Sequence, residues 1–260
     1  MTRIAKVFKE KRKVLVAYIT AGDPSPERTP ALVAALERGG ADLIELGVPF
    51  SDPVADGPVI MRAGDRALRA GTTVAKVLEI AREIRRSSEI PILLFTYLNP
   101  VIRYGLDRLA ADAKASGVDG CLLTDASVEE AGSYVEAMRG AGLDTVFLAA
   151  PTSTERRLQL VAKYSSGFVY LVSRTGVTGE QSTMSSSVGP LIQAVRKVTQ
   201  LPLAVGFGVS RPEHVAEIGA VADGVVVGSA FMRIIEEYGG SAELEQRLEE
   251  FTRVLKEPLC

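Results

Sequence analysis

Eight short apolar runs, each followed by a helix-like stretch, constrain this chain more than any other feature of its sequence. They read KVLVAYIT (13–20), ADLIELGV (41–48), PILLFTYL (91–98), VDGCLLTD (118–125), DTVFLAA (144–150), GFVYLVS (167–173), LPLAVGFG (201–208) and ADGVVVGS (222–229). They are nearly continuous in apolar residues rather than alternating, the pattern of strands buried on both faces of a parallel sheet. Between them lie amphipathic stretches such as PERTPALVAALERGG and GLDRLAADAKASG, several stopped by glycine as helices commonly are. Strands alternating with helices argue a parallel sheet with helical crossovers. Eight such units in 260 residues predict a single (β/α)8 TIM barrel as one domain over 1–260, with an additional helix at the N-terminus. An open doubly wound sheet is the alternative. It is expected to carry a glycine-rich dinucleotide fingerprint after its first strand, where this chain reads AGDPSPERTP.

Composition excludes several functions. The net charge is −2, so no basic domain points to nucleic acid. The only cysteines are Cys121 and Cys260, which rules out a disulfide framework and fits a reducing, cytoplasmic setting. The N-terminal MTRIAKVFKEKRK lacks the apolar core of a secretory signal, and no apolar run is long enough to span a membrane. The single histidine, His214, cannot build a zinc cluster and reads as a surface residue of a helix; no metal site is expected.

The stretch LIELGVPFSDPVADGPVI (43–60) breaks the strand pattern with Glu45. A carboxylate in an apolar strand is costly unless paired, and its usual escape is a raised pKa. By alternation Leu43, Glu45 and Gly47 share one face, so Glu45 points into the barrel if the other face packs on helices. Two readings fit: a structural ion pair with a cation from another strand, or a general acid–base tuned by apolar surroundings. Asp56 follows in the Pro-rich loop. Two carboxylates in unlike environments can divide acid–base and electrostatic roles.

Glycines recur at the ends of the last three strands: SRTGVTGEQSTMSSS after the sixth, GFGVS ending the seventh, and GSA ending the eighth. Glycine lets backbone N–H groups approach a phosphate, and a helix N-terminus favours the anion. Barrel enzymes often bind phosphate after strands seven and eight. All nine lysines fall in helices or at strand starts, away from the place a Schiff-base aldolase needs one. These residues lead to a barrel that binds a phosphorylated small molecule and works by carboxylate acid–base chemistry.

At this level of detail the chain resembles the tryptophan synthase alpha subunit family. The resemblance rests on LIELGVPFSDPVADGPVI, YITAGDP (18–24), YLVSRTGVTG (170–179), GFGVS and GSAF (228–231), and runs from about residue 13 to 232. It implies a TIM barrel that cleaves indole-3-glycerol phosphate to indole and glyceraldehyde 3-phosphate. It implies no cofactor in this chain, and a beta-subunit partner that carries pyridoxal phosphate and receives the indole in an alpha2beta2 complex.

Carried over by position, Glu45 matches the catalytic acid–base. Asp56 matches the carboxylate that holds the indole N–H, and Tyr170 a tyrosine near Glu45. Tyr18 stands where many members have a pocket phenylalanine, so its hydroxyl needs a partner if buried. Gly179, Gly208, Gly228 and Ser229 match the phosphate-binding backbone. Phe207 falls among the substrate-binding residues, and Thr178 in a loop expected to close over the site. The chain departs from the family pattern at Met61, Ala126 and Ser127, near surfaces that face the partner. Two other functions stay open: a stand-alone indole-releasing lyase, which these departures keep in view, or a non-catalytic activator of a beta subunit. Retention of both carboxylates speaks against the second.

Overall fold

The computed structural model describes residues 1–11, 13–172, 188–206 and 208–260. Helix α1 (Arg3–Glu10) precedes β1 (Val14–Thr20), α2 (Thr29–Gly39), β2 (Leu43–Gly47), α3 (Pro58–Arg69) and α4 (Val74–Ile84). β3 (Ile92–Thr96) leads into α5 (Leu98–Tyr104) and α6 (Leu106–Ala115), and β4 (Gly120–Leu123) into α7 (Gly132–Gly140). β5 (Asp144–Val146) and β6 (Leu148–Ala149) precede α8 (Glu155–Tyr164). Then come β7 (Val169–Val172), α9 (Val188–Arg196), β8 (Leu203–Gly206), α10 (Pro212–Val221), β9 (Gly224–Val227), α11 (Ser229–Tyr238) and α12 (Leu244–Lys256).

The strands form one parallel sheet in the order β5-β4-β3-β2-β1-β9-β8-β7-β6. β5 and β6 are separated by Phe147 alone, and the ladder crosses that break: Ser166 N–H donates to the Thr145 carbonyl at 2.7 Å and Tyr170 N–H to the Phe147 carbonyl at 3.1 Å. The fifth apolar run is thus one barrel position in two pieces, and the sheet is a TIM barrel of eight positions. Nearly every strand residue is buried, which is why these segments are apolar throughout.

Strand starts are pinned by aspartates. Asp42, Asp119 and Asp223 each stand one residue ahead of β2, β4 and β9. Their Oδ2 atoms accept the N–H groups of Leu15 at 2.8 Å, Ile92 at 2.9 Å and Leu203 at 2.8 Å on the neighbouring strands. Lys256, the pair Arg3 and Arg85, and Arg196 balance the three charges. Backbone donors at strand ends must find acceptors. This repeated solution fixes the register that aligns the C-terminal ends of the strands. Helix α1 closes the same, N-terminal end: Ile4 is fully buried and the Phe8 ring lies 5.3 Å from that of Phe168.

Two local expectations are corrected. His214 is buried near the start of α10, not on the surface, and its Nδ1 accepts the Ser210 N–H at 3.4 Å. Leu98, the last residue of the third apolar run, belongs not to the strand but to α5, whose third residue is Pro100. Proline is tolerated there because first-turn N–H groups have no partner within the helix.

Candidate active site

A cavity opens at the C-terminal end of the barrel and encloses about 680 Å³ counting its mouth. Its floor and one wall come from inward residues of the early strands: Tyr18 on β1, Glu45 on β2 and Phe95 on β3. Tyr170 on β7 and Asp56 in the β2–α3 loop join them. The other end is made by Gly208 and Val209 beyond β8, and by Gly228 and Ser229 where α11 begins. The structure therefore brings Glu45, Asp56, Tyr170, Tyr18, Gly208, Gly228 and Ser229 to one cavity. Thr178, Gly179 and Phe207 lie outside the described residues.

Glu45 is almost completely buried and its Oε1 has no hydrogen-bond partner among the described residues. No ion pair joins Glu45 to a cation among the described residues. Burial pushes its carboxyl up from an ordinary 4.5 to about 8, so it is neutral at neutral pH. Tyr170 is buried close by, and its phenol is held well above the usual range by burial first, then by the Glu45 charge. Tyr18 lies in register with Glu45 across the β1–β2 pair, its ring edge-on to Phe95 at 5.2 Å. Its hydroxyl finds its partner in Thr20 Oγ1 at 3.2 Å.

Both tyrosines need a notch in the barrel wall. A Cβ on Gly206 would sit 2.1 Å from the Tyr170 hydroxyl, and one on Gly47 would sit 2.4 Å from that of Tyr18. These glycines are required by the close approach of a ring.

The loop that carries Asp56 is held by a residue the sequence alone did not single out, Tyr97. Tyr97 ends the inward series Leu93, Phe95, Tyr97 at the mouth of β3. Its hydroxyl accepts the Ala55 N–H at 3.1 Å and lies near enough to the Asp56 carboxyl to lower its pKa. Its ring lies 5.3 Å from that of Phe50, at the other end of the same loop. Tyr97 is itself placed by Asp125, whose Oδ1 accepts the Leu98 N–H at 2.7 Å. Burial raises the Asp56 carboxyl to about 6, and the Tyr97 hydroxyl pulls the other way. The period-2 alternation carried the signal for Tyr97; what it lacked was the fold of the loop above.

Chemically, the cavity offers a neutral acid, a second carboxylate that ionises at lower pH, an apolar wall, and a glycine-lined helix start suited to an anion. Among the described residues no group of three or more His, Cys, Asp or Glu side chains is placed to hold a metal ion.

The sequence model of the family described as "Tryptophan synthase alpha chain" matches residues 4–259. The chain belongs to the tryptophan synthase alpha chain family. Within it, the chain is 72% identical over 260 residues to the tryptophan synthase alpha chain of Solibacter usitatus, covering 98% of this chain and 97% of that protein. It is 50% identical to that of Geotalea uraniireducens, with the same coverage. Among solved family structures, Mycobacterium tuberculosis tryptophan synthase aligns with a TM-score of 0.91 at 37% identity, over 99% of this chain and 98% of that one. The structure of Pyrococcus furiosus from work on its α2β2 tryptophan synthase complex aligns with a TM-score of 0.89 at 42% identity, over 95% and 99%.

Proposed function

We infer that this protein cleaves indole-3-glycerol phosphate, by a retro-aldol reaction, to indole and glyceraldehyde 3-phosphate, a lyase step of tryptophan biosynthesis. The observation that carries the reading is a buried, neutral Glu45 in one cavity with Asp56 and the glycine-lined start of α11.

The proton balance fits a single group. Neutral Glu45 gives its proton to the indole ring carbon that bears the glycerol chain and becomes a carboxylate. The ring now carries positive charge and its N–H is more acidic; ionised Asp56 accepts that N–H and stabilises the charge. Carboxylate Glu45 then takes the proton of the adjacent glycerol hydroxyl. As the aldehyde forms, the carbon–carbon bond electrons return to the ring. Indole leaves, and Glu45 is neutral again. A carboxyl with its pKa raised by burial is suited to this cycle, because it can both give and take the proton near neutral pH. Tyr170 walls the site beside Glu45. Gly208, Gly228 and Ser229 offer backbone N–H groups to the phosphate.

The partner is a beta chain in an α2β2 assembly, which supplies the pyridoxal phosphate; no step assigned to this chain uses a cofactor. Val54, Met61 and Ile102 are apolar side chains left exposed on the segments that follow β2 and β3, at the end where the cavity opens. That face supports docking of the partner. One core cluster reaches from Ile4 to Leu259, which supports a single domain over 1–260. Among the described residues no helix is long and apolar enough to cross a membrane. With Cys121 and Cys260 both free, the reading places the protein in the cytoplasm.

The test is indole release from indole-3-glycerol phosphate by the purified chain, with and without a beta chain from the same source. Weak release that rises sharply with the partner supports the reading. Strong release with no response points to a stand-alone lyase. No indole in either condition overturns the reading.

A further inference from the structure

The run YITAGDP contains two residues, Gly22 and Asp23, that the cavity does not use. Asp23 is fully buried in the β1–α2 loop. Arg66 of α3 grips it with both arms, Nε to Oδ1 at 2.8 Å and Nη2 to Oδ2 at 2.8 Å. The third nitrogen of Arg66 donates to Glu236 Oε1 of α11 at 2.9 Å. Arg62, one turn earlier on α3, grips the same Glu236 at 2.7 and 2.9 Å. The loop also holds both helices directly. Gly22 has φ +88° and its bare Cα makes room for Thr72 just beyond α3, whose Oγ1 would lie 1.9 Å from a Cβ there. Arg28 donates to the Gly239 carbonyl at the end of α11 at 2.8 Å.

Loop to α3, α3 to α11, and α11 back to the loop make a closed triangle. Its two helices carry opposite ends of the cavity. Asp56 lies two residues ahead of Pro58, where α3 starts, and Gly228 and Ser229 begin α11. A helix is a stiff rod, so ties along its length set where its first turn stands. Two-armed arginine–carboxylate pairs fix geometry as well as charge.

We propose that Asp23, Arg66 and Glu236 are positioning residues: together they hold the phosphate end of the cavity at a fixed distance from Asp56, so that a substrate must reach both. The inference rests on the cleavage reading above for the identity of that substrate. Isolated surface ion pairs do little. This set differs in that one carboxylate is fully buried and one guanidinium ties both the loop and α11. Small misplacement of a reacting group is costly in rate.

Glu236→Gln removes the charge behind both arginine ties and one of the two acceptor oxygens, at a half-buried position, and keeps the side-chain shape. Three ligands separate the outcomes. Glycerol 3-phosphate occupies one end; 3-(indol-3-yl)propyl phosphate, which cannot be cleaved, spans both; indole-3-glycerol phosphate reports turnover. The variant is expected to bind glycerol 3-phosphate within about twofold of the parent, and the spanning ligand about tenfold more weakly. In the free protein, amide exchange of Met61 to Ala63, in the first turn of α3, is expected to quicken. An equal loss for both ligands, or no loss for either, overturns the proposal, because a merely structural tie does not discriminate by ligand length. If the parent chain neither cleaves indole-3-glycerol phosphate nor binds the spanning ligand, the cleavage reading fails. The exchange experiment needs no substrate and then decides alone: unchanged protection in the first turn of α3 overturns the tie, and lost protection upholds it.

Discussion

Tyr18 and Glu45 face each other in register on adjacent parallel strands, yet the Tyr18 hydroxyl turns to Thr20 and leaves Glu45 Oε1 without a hydrogen bond among the described residues. A tyrosine that bonded the carboxylate would lower its pKa. The arrangement keeps Glu45 buried, neutral and ready to give a proton.

That choice costs stability. The folded pKa of about 8 lies above the ordinary 4.5, so the folded state holds the proton more tightly than the unfolded chain. The cost is absent below about pH 4.5, grows as pH rises to about 8, and is constant above it. Glu45→Gln removes it. The variant is expected to match the parent near pH 4 and to exceed it by several kcal/mol at pH 9. Denaturant titrations at the two pH values check this, and equal stability at pH 9 contradicts it.

The rate should also follow Glu45. Its acid form is needed first, so kcat/KM is expected to fall as pH rises through about 8. Asp56 must be ionised, which sets a second fall as pH drops through about 6. The substrate phosphate also titrates near pH 6, so the alkaline limb is the diagnostic one. A profile flat to pH 10 contradicts the acid role.

Tyr97→Phe keeps the ring against Phe50 and removes the hydroxyl that holds the Ala55 N–H and lowers the Asp56 pKa. A donor to an ionised carboxylate lowers its pKa, so its loss should raise Asp56 above about 6. A carbon-13 titration of the aspartate carboxyls reads this directly. Turnover should fall roughly 10- to 100-fold with the loop no longer pinned. An Asp56 titration unchanged or lowered sinks this role for Tyr97.

Two glycines at the cavity should respond in opposite ways to one added methyl group. In Gly206→Ala the new Cβ meets the buried Tyr170 hydroxyl at 2.1 Å, so the ring must move. The expected cost is about 1–3 kcal/mol of stability. In Gly228→Ala the nearest atom is Tyr18 Cβ at 3.5 Å, an ordinary contact. Stability should stay within about 0.5 kcal/mol. Affinity for glycerol 3-phosphate should drop about tenfold, because the side chain fills the space a phosphate needs. Calorimetry and titration of both variants check the pair. A Gly228→Ala protein with unchanged affinity removes Gly228 from the phosphate site.

The barrel was legible because buried parallel strands must be apolar throughout, and Glu45 was legible because it is the exception inside one of them. The split of the fifth strand at Phe147 was not, since both pieces satisfy the same apolar pattern. The start of helix α5 was not either, since Leu98 continues the apolar run of β3. His214 was misplaced because a histidine two residues after a helix-opening proline gives no sign of which face is covered. Tyr97 lay in plain view one residue past β3 on its inward alternation, but its task depends on a loop whose path no periodicity encodes. The same holds for Arg66: an arginine on an amphipathic helix looks solvated until the fold sets a buried Asp23 beneath it.

Glu45→Gln, assayed for indole release from indole-3-glycerol phosphate with glycerol 3-phosphate binding measured on the same sample, tests the proton-carrier role of Glu45 most directly. The prediction is a loss of turnover of at least about 100-fold with glycerol 3-phosphate affinity intact, because the proton carrier is gone and the cavity is not. Turnover near that of the parent chain would contradict it.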